Sequence, residues 1–292
     1  MKIGVTGASG LIGTALVPAL KAHGHDVVRF VRHPAATADE RRWDGLTLAP
    51  DAAADLGAVI HLAGAGVGDR RWTSSYKKVL VDSRLKGTAA VARAVAAAGT
   101  PVLLSASAIG WYGDTGSTVT DESGSPGTGF LADLCVQWEQ ATKPADGSAR
   151  VAHLRTGIVL SSKGGALAKQ IPIFKAGLGA PLGSGKQWLS WISLQDEVSA
   201  IVHLLTADVA GPVNLVGPEP VTNKDFTKAL GRALHRPTLP VPVPGFVLKA
   251  ALGEFAQEGV LTGQRLLPSV LEKSGFNFAH RDVASALDDG LK

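Results

Sequence analysis

The sequence contains a single cysteine and no long apolar run. Because Cys135 is the only cysteine among 292 residues, an intrachain disulfide and a zinc site built from several cysteines are both excluded. The most apolar stretches, residues 88–98 and 239–248, are shorter than the roughly 18 residues that a membrane-spanning helix needs. We therefore expect a protein without a membrane span that works in a reducing, cytoplasmic setting.

The sequence also has only a small excess of basic over acidic residues. The chain has 29 basic and 25 acidic residues, which give a net charge of +4. The densest basic cluster, within residues 29–42, is too thin for a nucleic-acid footprint and is interpreted as a local phosphate site. The histidines show no metal-ligand spacing. We expect a small-molecule substrate rather than a nucleic acid, a membrane or a metal ion, and a monomer or homodimer.

The first 160 residues alternate short apolar runs with helical patterns. The runs are too apolar to have one face in water, which predicts a parallel sheet covered by helices on both sides. The expected fold class is α/β, a Rossmann-type doubly wound parallel sheet. Strands are predicted at residues 2–6, 26–31, 58–62, 101–105 and 150–155, and helices at 11–22, 82–98 and 130–142.

The composition changes after residue 160. Glycines punctuate a segment predicted to be rich in loops, and prolines mark an extended connector at residues 237–244. A helix at 196–205 and a strand at 213–216 are expected to return to the sheet. The predicted organisation is an NADP-binding domain at 1–160, joined by 190–217, and a smaller carboxy-terminal substrate-binding subdomain formed by 161–189 and 218–292.

Three glycines follow the first predicted strand and open the first predicted helix. Gly7 permits a tight turn, Gly10 lets the backbone approach a diphosphate, and Gly13 lets helix and strand pack closely. Backbone N–H groups at the start of the helix would then face the phosphates. The turn is therefore predicted to bind a dinucleotide through Gly7, Ser9, Gly10, Leu11, Ile12 and Gly13.

The end of the second predicted strand indicates which dinucleotide is bound. A site selective for NAD would place an acidic residue there to accept a hydrogen bond from the ribose 2′-hydroxyl. The sequence has Arg32 instead, and a guanidinium pairs well with a 2′-phosphate. The alternative is a solvated arginine at a strand end. We predict NADP(H) as the cofactor.

Several segments together resemble a known family. They are GASGLIG at 7–13, VIHLAG at 59–64, RW at 71–72, DSR at 82–84, SASAIGWYG at 105–113, FLADLC at 130–135, WE at 138–139, GLGAPLGSG at 177–185, WIS at 191–193 and GQR at 263–265. This set is similar to extended short-chain dehydrogenase/reductases. More narrowly, it resembles the epimerase-family branch that has been mislabelled as SulA-type cell-division inhibitors and that includes the human family 39U member. Nucleoside-diphosphate-sugar epimerase is the label usual in that branch.

The resemblance implies further cofactor contacts beside the glycine turn, from Arg32, Leu62, Ala63, Gly64 and Arg84. It also shows that a catalytic residue pair typical of the family is missing from this sequence. Extended members carry a tyrosine and, four residues later, a lysine on the helix after the serine strand, and together these exchange the proton. Aligned on Glu139, those two positions are Leu131 and Cys135, and no tyrosine of the chain is followed by lysine at that spacing.

The remaining catalytic candidates are Ser107 and Tyr112. Ser107 matches the serine of the family's segment, and its alternative role is to cap a strand end. Tyr112 is the best substitute acid, although packing beside Trp111 is the plainer interpretation. For the substrate we predict contacts from Arg155, Gln187 and Trp191, with an ordinary strand-end charge and packing as their alternatives.

Two functions are consistent with these residues. The first is an NADP-dependent oxidoreductase or epimerase acting on an unknown small carbonyl or nucleotide-sugar-like substrate, with Ser107 and Tyr112 in place of the usual pair. The second is a non-catalytic NADP(H)-binding sensor or partner-binding module. The replaced tyrosine and lysine favour the second function, and the retained serine strand favours the first. Fold alone does not distinguish between them.

Overall fold

The structure, a computed structural model, describes every residue from Met1 to Lys292. The strands are β1 (Lys2–Thr6), β2 (Asp26–Val31), β3 (Glu40–Arg42), β4 (Ala58–His61), β5 (Val102–Ala108), β6 (Val119–Thr120), β7 (Arg150–Thr156), β8 (Ile158–Leu160), β9 (Trp188–Leu189), β10 (Trp191–Ser193), β11 (Gly211–Leu215), β12 (Val221–Thr222) and β13 (Arg265–Leu266). The helices are α1 (Leu11–Ala22), α2 (Ser74–Ala98), α3 (Phe130–Gln140), α4 (Gly165–Lys175), α5 (Leu194–Thr206), α6 (Asn223–Ala233), α7 (Gly245–Leu252), α8 (Phe255–Gly259), α9 (Ser269–Lys273) and α10 (Val283–Gly290). None of these helices is both long enough and apolar enough to cross a membrane.

A seven-stranded sheet confirms the predicted Rossmann-type α/β class. Its strand order is β11-β7-β5-β4-β1-β2-β3, and the pairings of β1 with β2 and β4, of β4 with β5 and of β2 with β3 are all parallel. The chain leaves β1 toward β2 on one side and later returns to β4 on the other. The strand order therefore reverses between β1 and β4, and ligands bind at such a point, beyond the carboxyl ends of the strands.

The chain divides into two compact units, each built from three stretches. The first unit comprises Met1–Ser107, Leu134–Arg155 and Val198–Val213. The second comprises Ala108–Asp133, Thr156–Glu197 and Asn214–Lys292. The predicted assignment of cofactor and substrate binding to separate parts of the chain stays a prediction.

The core of the first unit explains why its strands are so apolar. Ile3 and Val5 in β1, and Val59 and Ile60 in β4, are completely buried. Successive side chains of a strand point to opposite faces of the sheet. Both faces of the sheet are therefore covered, as the continuous apolar runs predict.

The second unit has its own apolar core and three short strand pairs. The pairs are β8 with β10, β9 with β12, and β6 with β13. Its core includes one cluster formed by Leu160, Leu167, Phe174, Trp191, Phe226, Leu230, Val283, Ala286 and Leu287, and a second formed by Ile109, Tyr112, Val216 and Leu266.

Several elements differ from the sequence prediction: β3 was not predicted, β5 continues to Ala108, and α2 and α4 differ as follows. Helix α2 begins at Ser74, well before the predicted residue 82, because the side chain of Thr73 accepts a hydrogen bond from the Tyr76 amide and caps the helix there. Part of the segment predicted as loop instead forms α4. That prediction was wrong because the glycines flank the helix, with Gly164 and Gly165 at its start and Gly177 after its end, whereas Leu167 and Phe174 bury one helical face.

Candidate functional site

The glycine turn lies between β1 and α1, and a side chain is excluded at Gly7 and at Gly13 for different reasons. Gly7 has a φ of +70°, and a Cβ there would lie 2.8 Å from the backbone carbon of Leu62. A Cβ on Gly13 would collide with the carbonyl oxygen of Gly7 and lie 2.7 Å from the Ala8 Cα. Only a residue without a side chain lets α1 approach β1 this closely.

The N-terminus of α1 is open to an anion. Gly10 occupies the N-cap position without a side-chain hydrogen bond, and the first turn contains no acidic residue. The first backbone N–H groups of a helix lack intrahelical partners and carry a partial positive charge. Gly10 is exposed and Leu11 is half-buried. This uncapped, accessible helix start fits the diphosphate of a dinucleotide.

A buried hydrogen-bond network fixes the two strand ends beside the turn. Nδ1 of His61 lies 2.8 Å from Oγ1 of Thr6, and its Nε2 lies 3.0 Å from Oγ1 of Thr88. Thr88 also accepts a hydrogen bond of 2.9 Å from the indole N–H of Trp138. Burial lowers the pKa of His61 to about 4. His61 is therefore a neutral residue that ties β1 and β4 to α2 and α3.

The same threonine orients the chain that follows β4. Oγ1 of Thr6 accepts hydrogen bonds from the Leu62 amide at 3.1 Å and the Ala63 amide at 3.3 Å. Gly64 is exposed, and the Ala65 amide donates to Ser83 Oγ at 3.2 Å. The predicted cofactor contacts at residues 62–64 thus follow β4 directly, next to the glycine turn that follows β1.

Arg32 differs from Arg29 and Arg41 of its cluster in having no acidic partner. Arg29 pairs with Asp39 at 3.3 Å, and Arg41 pairs with Asp55 at 2.6 Å. Arg32 follows the last residue of β2, is exposed, and forms no ion pair in the structure. Its guanidinium is therefore available to a phosphate at the carboxyl end of β2.

Arg84 reaches the same region from α2. The residue is only 8% exposed, and its Nη1 donates to the carbonyl of Ala65 at 2.9 Å and to that of Leu80 at 3.3 Å. Its Cζ lies 4.7 Å from the ring centroid of Trp138. Burial lowers the pKa of Arg84, while nearby Cys135 acts in the opposite direction.

Ser107 belongs to a buried acidic and basic cluster. Its hydroxyl donates to Oε1 of Glu139 at 2.7 Å. Arg155 binds the same carboxylate with both ends of its guanidinium, at 2.8 Å from Nε and 2.9 Å from Nη2. Nδ1 of His153 lies 3.9 Å from Oε2 of Glu139. Arg155 is thus engaged by Glu139, and its contact with a substrate stays a prediction.

The sequence alone does not single out Glu139 as a partner of Ser107. The two residues are 32 positions apart, and Arg155 is 16 positions from Glu139. Nothing in local periodicity brings them together. Only the pairing of the strands that carry Ser107 and Arg155, with α3 across them, reveals the contact.

Tyr112 lies in the second unit and is 3% exposed. Its hydroxyl donates to Oδ1 of Asn214 at 2.8 Å, and its ring packs edge-on against Trp111 with centroids 5.0 Å apart. The predicted role of Tyr112 as an acid requires this hydrogen bond to open. That role stays a prediction.

The two other predicted substrate contacts also lie in the second unit. Trp191 is 1% exposed and donates its indole N–H to the Glu219 carbonyl at 2.9 Å. Gln187 donates to the carbonyls of Leu182 and Val260 at 3.0 and 3.2 Å, and its Oε1 is buried without a hydrogen bond. Trp191 therefore packs in the core, whereas Gln187 keeps an unused acceptor; their contact with a substrate stays a prediction.

Comparison with known proteins gives similarity over nearly the whole chain. The family described as NAD dependent epimerase/dehydratase matches residues 3–217, and a domain of unknown function matches residues 243–289. An epimerase family protein of Mycobacterium bovis is 50% identical over 289 residues, which cover 98% of this chain and 96% of that relative. The human epimerase family protein SDR39U1 is 32% identical over 296 residues, covering 99% of each.

Solved structures are similar as well. The crystal structure of human SDR39U1 with NADPH has a TM-score of 0.91 and 31% identity, and the match covers 99% of this chain and 98% of that one. A nucleoside-diphosphate sugar epimerase from Corynebacterium glutamicum has a TM-score of 0.82 and 32% identity, covering 98% of this chain and 57% of that one. These findings confirm the resemblance to the epimerase-family branch of extended short-chain dehydrogenase/reductases.

Proposed function

Because the chain belongs to the NAD-dependent epimerase/dehydratase family, we propose that it is an NADP(H)-dependent oxidoreductase or epimerase. Its substrate is a small carbonyl compound or a nucleotide-sugar-like molecule. The observation that carries this proposal is the uncapped start of α1 together with the exposed, unpaired Arg32. The NADPH in the human relative's crystal structure supports the choice of cofactor.

The residues on the first unit have separate tasks in holding the cofactor. The amides after Gly10 bind the diphosphate, and the Arg32 guanidinium pairs with the 2′-phosphate. Residues 62–64 supply backbone contacts at the carboxyl end of β4. When bound, NADP(H) accepts or donates a hydride.

Ser107 handles the proton in this proposal. Its own proton is donated to Glu139, so its oxygen is left to accept a hydrogen bond from a substrate hydroxyl. When that hydroxyl is oxidised, its proton passes to Ser107 Oγ while the Ser107 proton passes to Glu139. Carbonyl reduction reverses both transfers. This relay replaces the tyrosine and lysine that are absent at Leu131 and Cys135.

The cofactor assignment is tested by Arg32→Asp. Losing a charged hydrogen-bond partner costs about 1.5–3 kcal/mol, or roughly 10- to 100-fold in affinity. NADPH binding measured by calorimetry should weaken by about that factor, with NADH binding little changed. Arg93→Asp, at an exposed arginine of α2 outside this cluster, is the control and should leave both affinities intact. Equal losses for NADPH and NADH in Arg32→Asp would refute the phosphate pairing.

The chemical assignment is tested by a panel of aldehydes, ketones and nucleotide sugars, followed by NADPH absorbance. Ser107→Ala should slow the turnover of any substrate found by about 100-fold or more, with NADPH affinity unchanged. Tyr112→Phe, run in parallel, shows whether the buried phenol takes part. Full turnover by Ser107→Ala would remove the serine relay.

A second candidate function is a non-catalytic NADP(H)-binding sensor. The observation that favours it is the engaged Tyr112 hydroxyl, in a chain whose usual tyrosine and lysine positions hold Leu131 and Cys135. It predicts tight NADPH binding with no turnover across the whole panel. Turnover that depends on Ser107 excludes it.

A further inference from the structure

Two neighbouring segments of the second unit carry most of the exposed apolar side chains of the molecule. Eleven large apolar residues are exposed, and seven of them lie in residues 173–178 and 239–252. Val241 and Phe246 are the most exposed, at 72% and 75%. Apolar surface gathered in this way marks an interaction site. We call it the α4–α7 surface, and its side chains are Ile173, Leu178, Leu239, Val241, Phe246, Val247 and Leu252.

Backbone hydrogen bonds hold the two segments of this surface side by side. The Leu239 amide donates to the Gly179 carbonyl at 2.7 Å, and the Val243 amide donates to the Pro181 carbonyl at 2.8 Å. Both segments belong to the second unit. The α4–α7 surface is therefore one feature of that unit and not a set of side chains scattered over the molecule.

Helix α7 makes this surface unusual for a folded protein. A helix of a globular protein normally buries an apolar stripe against the core, whereas no residue of α7 is buried. The segment before α7 contains Pro240, Pro242 and Pro244, whose rings restrict the backbone and prevent it from folding inward as a helix. The exposed side chains on either side of Pro244, Val241 and Phe246, therefore project from the unit into solvent.

The same two parts of the chain carry only positive charge. Residues 163–186 and 226–253 contain eight lysines and arginines and no aspartate or glutamate, although the net charge of the whole chain is only +4. All eight cations are exposed. Lys175 belongs to α4 and Lys249 to α7, so the cations accompany the apolar side chains. Charge complementarity therefore calls for a partner that is anionic as well as partly apolar.

The charge and the exposure together favour one kind of partner. A second copy of this chain fits poorly, because a symmetric contact would bring the same cations of both copies together. An acidic protein would need a pocket shaped to receive the projecting Val241 and Phe246. A fluid bilayer with anionic headgroups needs no matched shape, since apolar side chains enter its interface while lysines and arginines contact the headgroups.

We propose that the α4–α7 surface docks the protein onto an anionic lipid membrane, with Val241 and Phe246 inserted at the level of the headgroups. No helix of the chain is able to span a bilayer, and a contact of this kind requires none. The expectation of no membrane partner concerned a span and does not extend to a surface contact. The docking is independent of the cofactor, so it stands or falls separately from the proposed function.

Cosedimentation of the full chain with lipid vesicles tests this proposal. The protein should bind vesicles of phosphatidylglycerol, which is anionic, and should bind vesicles of phosphatidylcholine, which has no net charge, at least 10-fold more weakly. Raising the NaCl concentration from about 0.1 M to about 1 M should release most of the bound protein, because salt screens the contact between cations and headgroups.

Two double variants separate the apolar contribution from the charge. Val241→Ser/Phe246→Ser removes two inserted side chains and should weaken binding to phosphatidylglycerol vesicles by about 10-fold or more. Lys175→Glu/Lys249→Glu reverses two charges and should weaken it by a similar factor. All four positions are exposed, so the thermal midpoints should stay close to that of the unmodified protein.

The matched controls lie on α2, in the first unit. Val79→Ser replaces an exposed apolar residue and Arg93→Glu an exposed cation, and both should bind vesicles as the unmodified protein does. Loss of binding in these controls equal to that in the double variants would overturn the proposal, because the contact would then have no defined place on the molecule.

The other partners give distinct results. Soluble polyglutamate offers negative charge without an apolar phase, and polyglutamate bound as tightly as phosphatidylglycerol vesicles would assign the surface to an acidic protein. A dimer in light scattering that Val241→Ser/Phe246→Ser dissociates, without vesicle binding, would assign it to a second copy. Either result overturns membrane docking, as does the absence of binding to phosphatidylglycerol vesicles or full binding by Val241→Ser/Phe246→Ser.

Discussion

Ser107 shows how one hydrogen bond limits what a side chain is able to do. A serine hydroxyl has one proton, and Ser107 gives it to Glu139 at 2.7 Å. In the proposed mechanism its oxygen therefore accepts a hydrogen bond from the substrate, and it donates one only when Glu139 passes a proton back. Arg155 holds the carboxylate in place through two hydrogen bonds. The proposed relay thus rests on three side chains from three different elements.

The Glu139–Arg155 pair should also matter for stability. Glu139→Gln leaves a guanidinium that is 3% exposed without its carboxylate, and losing one partner of a buried pair costs about 3–5 kcal/mol. We expect the free energy of unfolding in urea to fall by about 2–4 kcal/mol, because the amide keeps some of the hydrogen bonds.

The matched control for Glu139→Gln is Asp82→Asn, in an ion pair at the surface. Asp82 contacts Lys78 and Lys86, whose side chains are 70% and 57% exposed. Solvent screens such exposed pairs, which contribute little to stability. Equal, small losses in Glu139→Gln and Asp82→Asn would show that the buried pair is not a structural link.

At the scale of elements, the glycine turn was predictable because its requirements are local. The spacing of Gly7, Gly10 and Gly13 between an apolar strand and a helix predicts the turn, and the strands and helix around it have the predicted bounds over residues 2–6, 11–22 and 26–31. Helix α4 was not predicted because the glycines on either side of it indicate loops, although Leu167 and Phe174 share one helical face. Glu139 was not assigned a partner because Ser107 and Arg155 are distant from it in sequence.

Gly10 and Gly13 should respond differently to alanine. A Cβ on Gly13 meets backbone atoms of Gly7 and Ala8, so Gly13→Ala should destabilise the fold by about 1–3 kcal/mol. Gly10 has an extended backbone conformation, and its Cβ would meet only the Gly7 carbonyl oxygen at 3.3 Å. Gly10→Ala should therefore fold normally and bind NADPH weakly.

Thermal unfolding and NADPH titration of both variants check this pair of predictions. The Gly10→Ala and Gly13→Ala variants serve as controls for each other. Normal NADPH affinity in Gly10→Ala would mean that the diphosphate does not approach the backbone at this residue.

At the scale of the whole molecule, two buried ionisable groups oppose each other in the dependence of stability on pH. Burial lowers the pKa of His61 from 6.5 to about 4, so its contribution to stability is lost as pH falls from 6.5 to 4. Burial raises the pKa of Glu197 from 4.5 to about 8, against a hydrogen bond from Thr156. The unfolded chain releases that proton first, so stability falls as pH rises from 4.5 to 8.

Glu197→Gln isolates the second effect. Glu197 is completely buried, and its Oε2 has no hydrogen-bond partner. The folded protein therefore keeps this carboxyl protonated at pH values where the unfolded chain releases the proton, which lowers stability, and a glutamine does not titrate. At about pH 8 the free energy of unfolding of the variant should be higher than that of the unmodified protein by on the order of 3 kcal/mol. At about pH 5 the two proteins should differ little.

Urea unfolding at the two pH values provides the measurement, and taking the difference between the proteins cancels the contribution of His61. Glu219→Gln, at an exposed position, is the control and should follow the unmodified protein throughout. A stability difference that stays constant between the two pH values would contradict the assignment of a retained proton to Glu197.

Calorimetric titration of the folded, unmodified protein with NADPH and with NADH measures directly whether the glycine turn and Arg32 hold a nicotinamide coenzyme. We expect saturable binding of both coenzymes, with NADPH bound about 10-fold or more tightly than NADH because of the Arg32 guanidinium. Binding of neither coenzyme by folded protein, or tighter binding of NADH, would contradict this expectation.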